Sequence, residues 1–293
     1  MGNEQNTKID AFEKQKAMNY IIAFIKVKKD CLKKRIINSY ENTQREDSYI
    51  FMKGKYECKN EEIIKKAEIY INNKRINFNY FYKFPKEGIY KIIYIFYKPF
   101  LSTNSLFNKC DSIISIDFSN FNTQNVIDME LMFNGCHSLI SLNLSNLNTK
   151  NVENMNRMFG YCHSLISLDL SNFNTENVKS METMFIDCNS VISLDLSNFN
   201  TQNVSNMAFM FYNCKSLLSL DLSNFNTHSV KFMSYIFENC NSLISLNLSN
   251  FTIDNDIYLG HLFNNCNSLI TKTINNLMFE KLSNLNLLNQ MLV

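Results

Sequence analysis

The stretch Ser164-Leu-Ile-Ser-Leu-Asp-Leu170-Ser-Asn-Phe-Asn-Thr-Glu-Asn-Val178-Lys-Ser-Met-Glu-Thr-Met184-Phe-Ile-Asp-Cys188 decides the fold. It opens with strand-like alternation. Leu168 and Leu170 point inward, and Ser167, Asp169 and Ser171 point outward. It then changes period. Val178, Met181, Met184 and Phe185 fall at i, i+3, i+6 and i+7, the spacing of one face of a short helix. Asn177 precedes that run, as Asn125, Asn151 and Asn203 do in other copies, and asparagine is a good N-cap.

The same unit recurs every 26 residues. Ser119-Asn-Phe-Asn-Thr123 returns at Ser145, Ser171, Ser197 and Ser223, and in altered form at Ser249. Cys110, Cys136, Cys162, Cys188, Cys214, Cys240 and Cys266 keep the beat, each three residues after a phenylalanine, from Phe107 to Phe263. One such turn cannot bury its own apolar face, so neighbours must stack. The period lies in the range of leucine-rich repeats. The expected fold is therefore α/β: a leucine-rich-repeat solenoid of about seven turns over 101–275, with a parallel sheet and short helices. A closing helix is expected over 276–293, which carries Leu277, Leu282, Leu285 and Leu288.

The pattern Met-Phe-x-x-Cys-x-Ser-Leu-x-x-Leu-Asp-Leu-Ser-Asn-Phe-Asn-Thr-x-Asn-Val resembles the BspA-like leucine-rich repeats. It is most similar to the 26-residue surface-protein repeat of mycoplasmas, other bacteria and some protists. The resemblance implies an α/β leucine-rich solenoid used for protein binding, often at cell surfaces. One departure is local. Where the common leucine-rich pattern carries an asparagine after its last strand leucine, this chain has Phe121, Leu147, Phe173, Phe199, Phe225 or Phe251. Asn122, Asn148, Asn174, Asn200 and Asn226 follow directly and are expected to take over that asparagine's backbone bonds.

Residues 1–100 differ in kind. They hold 21 Lys+Arg against 12 Asp+Glu, a balance of +9; residues 101–293 hold 8 against 15, a balance of −7. The runs 20–28, 35–40, 68–84 and 89–97 are rich in β-branched and aromatic residues, and Asn72-Asn73-Lys74 marks a tight hairpin. A small, mainly-β capping domain with one short helix near 61–67 is expected. An alternative makes 9–37 a basic amphipathic helix suited to peripheral contact with an acidic membrane surface. No recognised nucleic-acid motif accompanies the basic half, so no nucleic-acid partner is expected.

Several chemistries lack their residues. No Cys-x-x-Cys pair, phosphate-binding glycine loop or His-Glu-x-x-His motif is present. No enzyme, cofactor or metal is expected, and the cysteines read as a buried reduced column. No signal peptide or lipobox is seen, which points to the cytoplasm, with export to a cell surface as the alternative. The expected role is a non-enzymatic protein-binding scaffold. Two surfaces are candidates. A helix-edge aromatic patch gathers Phe209, Tyr212, Phe232, Tyr235 and Tyr258, where other copies carry small or polar residues. An outward column of Asp117, Asn143, Asp169, Asp195, Asp221 and Asn247 offers a face for a cation or a basic ligand.

Overall fold

The structure, a computed structural model, describes residues 19–46, 59–252 and 259–269, and the backbone of 271–274. The closing helix expected over 276–293, and Tyr258 of the aromatic patch, lie outside the described residues.

The basic half builds strands where β-branched and aromatic residues alternate. In β1 (Asn19–Val27) the alternation buries Ile21, Ala23, Ile25 and Val27. β2 (Lys33–Arg35) is short and pairs with β5 (Phe81–Lys83). The chain then enters α1 (Tyr40–Glu46), just past the strand-like run 35–40 and with no counterpart in the sequence expectation, and later α2 (Glu61–Lys65). β3 (Glu68–Ile71) and β4 (Lys74–Ile76) form the hairpin, with Asn72 and Asn73 both left-handed at φ 45° and 67°. Such a turn needs positive φ at both positions, and asparagine tolerates it. β6 (Gly88–Phe96) pairs along all of β1. The amphipathic helix considered for 9–37 is overturned over its described part, because residues 19–27 and 33–35 are strands.

β1 also pairs antiparallel with β7 (Ile113–Asp117), the first strand of the repeat region, and β7 pairs in parallel with β8 (Ser141–Asn143). One mixed sheet in the order β4-β3-β6-β1-β7-β8 thus crosses from the basic half into the acidic half. Buried amides help fasten the junction. Asn38 Nδ2 donates to the Asn108 carbonyl at 3.0 Å, and Asn60 Nδ2 to the Asn104 carbonyl at 2.7 Å.

The repeat region corrects the expected fold class. It is not a helix-rich α/β leucine-rich-repeat solenoid. Among the described residues the only helices are α1 and α2, both in the basic half. Nor is there one continuous parallel sheet. After β7 and β8, regular pairing resumes only at β9 (Ser219–Asp221), β10 (Ser245–Leu248) and β11 (Thr271–Ile274). Elsewhere single bridges link copies 26 residues apart, as in Asp128, Asn154, Ser180 and Asn206.

The expected helices are runs of tight turns. In the second copy Met129, Leu131, Phe133 and Gly135 donate their N–H groups to carbonyls of the next copy, at Asn154, Asn156, Met158 and Gly160. The residues between them, Met132, Asn134 and Cys136, donate three residues back, to Met129, Leu131 and Phe133. Two residues per copy are left-handed. One column runs Leu131, Arg157, Thr183, Phe209, Tyr235 and His261; the other runs Gly135, Tyr161, Asp187, Asn213, Asn239 and Asn265. A left-handed residue ends an α-helix, so two of them four residues apart leave no room for one. The apolar spacing of three that suggests a helix is also the period of successive turns bonded three residues back.

Asn125, Asn151, Asn177 and Asn203 are accordingly not N-caps. The last three donate their side-chain amides to Gln124, Lys150 and Glu176 carbonyls of the preceding copy, each at 2.8 Å. Asn174, Asn200 and Asn226 do bond the backbone, each accepting through Oδ1 the N–H two residues on, at 3.0–3.1 Å. The asparagine bonds between copies are carried by Asn172, Asn198 and Asn224, for example Asn198 Nδ2 to the Phe173 carbonyl at 2.7 Å.

The core is a set of columns. Phe107, Phe133, Phe159, Phe185, Phe211, Phe237 and Phe263 stack with centroids 5.6–6.3 Å apart. A second file, Phe173, Phe199, Phe225 and Phe251, stacks at 6.3–6.4 Å. Beside the first file each buried thiol from Cys136 to Cys266 donates to the carbonyl of the preceding copy's phenylalanine, at 3.0–3.3 Å.

Candidate functional site

The strand-like segment turns inside out within one residue. Leu165 is buried, Ile166 and Ser167 are both exposed, Leu168 is buried again, Asp169 is exposed and Leu170 is buried. Two consecutive outward residues interrupt the alternation. They add an aliphatic side chain to a face that period-two reading fills with serine and aspartate alone. Repetition then makes a column: Ile140, Ile166, Ile192, Leu218 and Ile244, each between 44% and 56% exposed. Together with Ser190, Ser216 and Ser242, three of these residues line a shallow groove of about 500 Å³. Sequence reading missed this column. Its signal is the Leu-Ile pair in Ser-Leu-Ile-Ser, because neighbouring residues of a strand cannot both face one core.

The aspartate column lies on the same face, three residues further along each copy. Every member caps its own turn. Asp117, Asn143, Asp169, Asp195, Asp221 and Asn247 each accept, through Oδ1, the backbone N–H two residues on, at 2.9–3.2 Å. Asp117 also accepts from Asn143 Nδ2 at 2.8 Å. The Ser171 hydroxyl and then its N–H hold the Asp169 carboxyl below the usual carboxylate range. Ser197 does the same for Asp195, where the Asp169 charge opposes it more weakly. At Asp221 the Ser223 N–H leads and its hydroxyl follows. The three carboxylates are thus ionised at neutral pH, and turn capping explains why aspartate and asparagine interchange along the column.

The other flank of the aliphatic column opens with Asp111 and is neutral to basic from His137 onward. His137 and His163 stack at 4.7 Å, with Lys215 two copies further on. Burial, and then His163, lowers the pKa of His137.

The aromatic patch lies on a turn edge, not a helix edge. Phe209 and Tyr235 occupy left-handed positions and stack face to face at 4.6 Å, and Tyr235 stacks on His261 at 4.8 Å. Tyr212 meets Phe209 edge-on at 5.7 Å, and Phe232 stands 51% exposed. The structure therefore brings Phe209, Tyr212 and Tyr235 together, but their mutual stacking occupies ring faces that a ligand would use.

A third polar group lies at the junction. Asp128 Oδ2 accepts from Asn104 Nδ2 at 2.9 Å, and Glu130 Oε2 accepts from the same nitrogen at 3.2 Å. Burial, and then the Asp128 charge, push Glu130 up to about 7. Both carboxylates are held by amides, and among the described residues no group of three or more His, Cys, Asp or Glu could hold a metal ion. Among the same residues no helix is long and apolar enough to cross a membrane.

A family model described as "Mycoplasma protein of unknown function, DUF285" matches the chain twice, over residues 101–217 and 187–291. No curated protein and no solved structure matches it.

Proposed function

The chain belongs to the DUF285 family of mycoplasma proteins, and from that premise we propose that it is a non-enzymatic protein-binding scaffold whose working surface is the outward face. The carrying observation is the aliphatic column. Single exposed apolar residues are ordinary, but a contiguous row of five is the kind of patch that marks an interaction site. The resemblance of the repeat to BspA-like surface repeats supports the same reading.

A photo-crosslinking residue placed at Ser193, beside Ile192 and Asp195, tests it. In an extract of the source cell the labelled protein should form a discrete adduct. The same label at Gln202, exposed at a distant corner, should not. No adduct from Ser193, or identical adducts from both positions, would refute the reading.

The seven buried column thiols carry no disulfide, which supports a reducing compartment such as the cytoplasm. A second reading puts the face outside the cell, as the resemblance to surface repeats favours. Labelling of the chain on intact cells by a membrane-impermeant amine reagent would select it, and protection until lysis would reject it.

A further inference from the structure

We propose that the outward face takes one kind of partner: a basic amphipathic helix laid along the stacking direction. Its aliphatic edge would sit on the Ile140–Ile244 column and its Lys/Arg row over Asp169, Asp195 and Asp221. This rests on the binding role proposed above and adds the chemistry of the partner.

Three observations carry it. The first is charge. Asp169, Asp195 and Asp221 are exposed, and each keeps its ionised carboxylate on the surface while Oδ1 caps the turn. No Lys or Arg pairs with them among the described residues, and the repeat half carries the chain's negative excess. The opposite flank offers Lys215 and two histidines, so a cationic row is welcome on one side only.

The second is period. Ile192, Leu218 and Ile244 each donate their N–H to the carbonyl of the aliphatic residue one copy back, and strands so paired stand about 4.8 Å apart, so the four side chains from Ile166 to Ile244 span about 14 Å. A helix presents one apolar residue per turn of about 5.4 Å and drifts by only about 2 Å over that span. A strand laid the same way presents same-side residues about 6.8 Å apart and drifts by about 6 Å, more than a whole column step.

The third is width. Ile166 and Asp169 are three residues apart, at most about 10 Å in an extended chain. A helix is about 10–12 Å across with its side chains, so one helix reaches both columns. A second copy of this chain fits less well. Five half-exposed aliphatic residues release on the order of 400 Å² per copy, about half of what each partner of a stable interface contributes.

The test uses the full chain and a fluorescein-labelled 15-residue probe helix with a leucine edge flanked on one side by lysines, followed by anisotropy at 0.15 M salt. Two control probes replace every lysine by glutamate or place a proline at the centre. The lysine probe should bind. D169N/D195N/D221N should weaken it at least about tenfold. Asparagine already caps the same turn at Asn143 and Asn247, so this variant should keep its fold. Ile166→Ser, Ile192→Ser and Leu218→Ser together should abolish binding, and both control probes should fail. Failure of the lysine probe, undiminished binding by either variant, equal binding of the proline probe, or loss of self-association in sedimentation as the only effect of the serine changes would overturn the proposal. A Ser193 adduct without probe binding would refute the helix while leaving the scaffold role standing.

Discussion

The hydroxyl of Thr175 grips the backbone of one residue of the next copy through both its polar groups: Oγ1 donates to the Asn200 carbonyl at 2.9 Å and accepts the Asn200 N–H at 2.8 Å. Thr123, Thr149, Thr201 and Thr227 repeat the clasp, with partners at 2.7–2.9 Å. A buried threonine is thus the rivet between copies.

Thr175→Val keeps the shape and removes the hydroxyl, leaving a donor and an acceptor of Asn200 unpaired beside a buried side chain. Such a loss at a part-buried site costs about 1–2 kcal/mol. Thr175→Ser keeps both bonds and should cost about 1 kcal/mol or less, the loss of a methyl group. Urea denaturation of the three proteins checks this. Equal stability of the valine variant and the parent would show that the clasp contributes nothing.

Asn213 separates turn from helix by sign. It is left-handed at φ 61° and donates Nδ2 to Asp187 Oδ1 at 3.0 Å. Changing it to alanine or to glycine removes the amide equally, so the difference between the two variants isolates the backbone. In a helix alanine is more stable than glycine by about 1 kcal/mol. In a left-handed position glycine should instead be more stable by about 1 kcal/mol. Thermal melts of Asn213→Gly and Asn213→Ala decide, and a more stable alanine variant would restore the helix.

That inversion also explains what the sequence reveals and what it hides. Copy length, the column cysteines and phenylalanines, and the inward Leu168 and Leu170 are legible because a 26-residue spacing passes directly into stacked contacts. The Asn72-Asn73 hairpin is legible because turn chemistry is local. The helix is misread because Val178, Met181 and Met184 are buried at a spacing of three that turns and helices share. What decides between them is bonding between copies, as when Thr183 donates its N–H to the Ala208 carbonyl. The only local hint is the choice of Gly135, Asn213, Asn239 and Asn265 at one left-handed column, and Tyr161 and Asp187 blur it. Half of the outward face is legible, namely Asp169, Asp195 and Asp221. The aliphatic half is hidden because isoleucine in a strand reads as core.

Glu130 should make stability fall as the solution becomes more alkaline. Its folded pKa, about 7, lies above the ordinary 4.5 because burial, and then Asp128, disfavour the charge. The fold therefore prefers the protonated acid. Its stabilising effect is complete below about pH 4.5, shrinks as pH rises towards 7 and is absent above. The full swing is on the order of 3 kcal/mol. Glu130→Gln keeps an amide that cannot ionise, so the difference in unfolding free energy between parent and variant should grow from pH 5 to pH 8 in the variant's favour. A difference independent of pH would contradict the burial of that carboxyl.

The column thiols should be chemically silent while the chain is folded. Burial raises every one of them, Cys188 and Cys266 to about 12, and each from Cys136 onward donates to a phenylalanine carbonyl of the preceding copy. Since the thiolate is the reactive form, an aromatic disulfide reagent at pH 8 should find no partner in the column. Cys31 is exposed and should react at once. In a Cys31→Ser, Cys58→Ser variant the native protein should release no chromophore over the time in which urea-unfolded protein releases seven equivalents. Titrating urea should then expose the thiols together if the copies unfold as one unit, because each thiol is locked to its neighbour's backbone. A stepwise release, with Cys266 first, would show that the stack opens from its far end, where the parallel strands β10 and β11 finish the described chain.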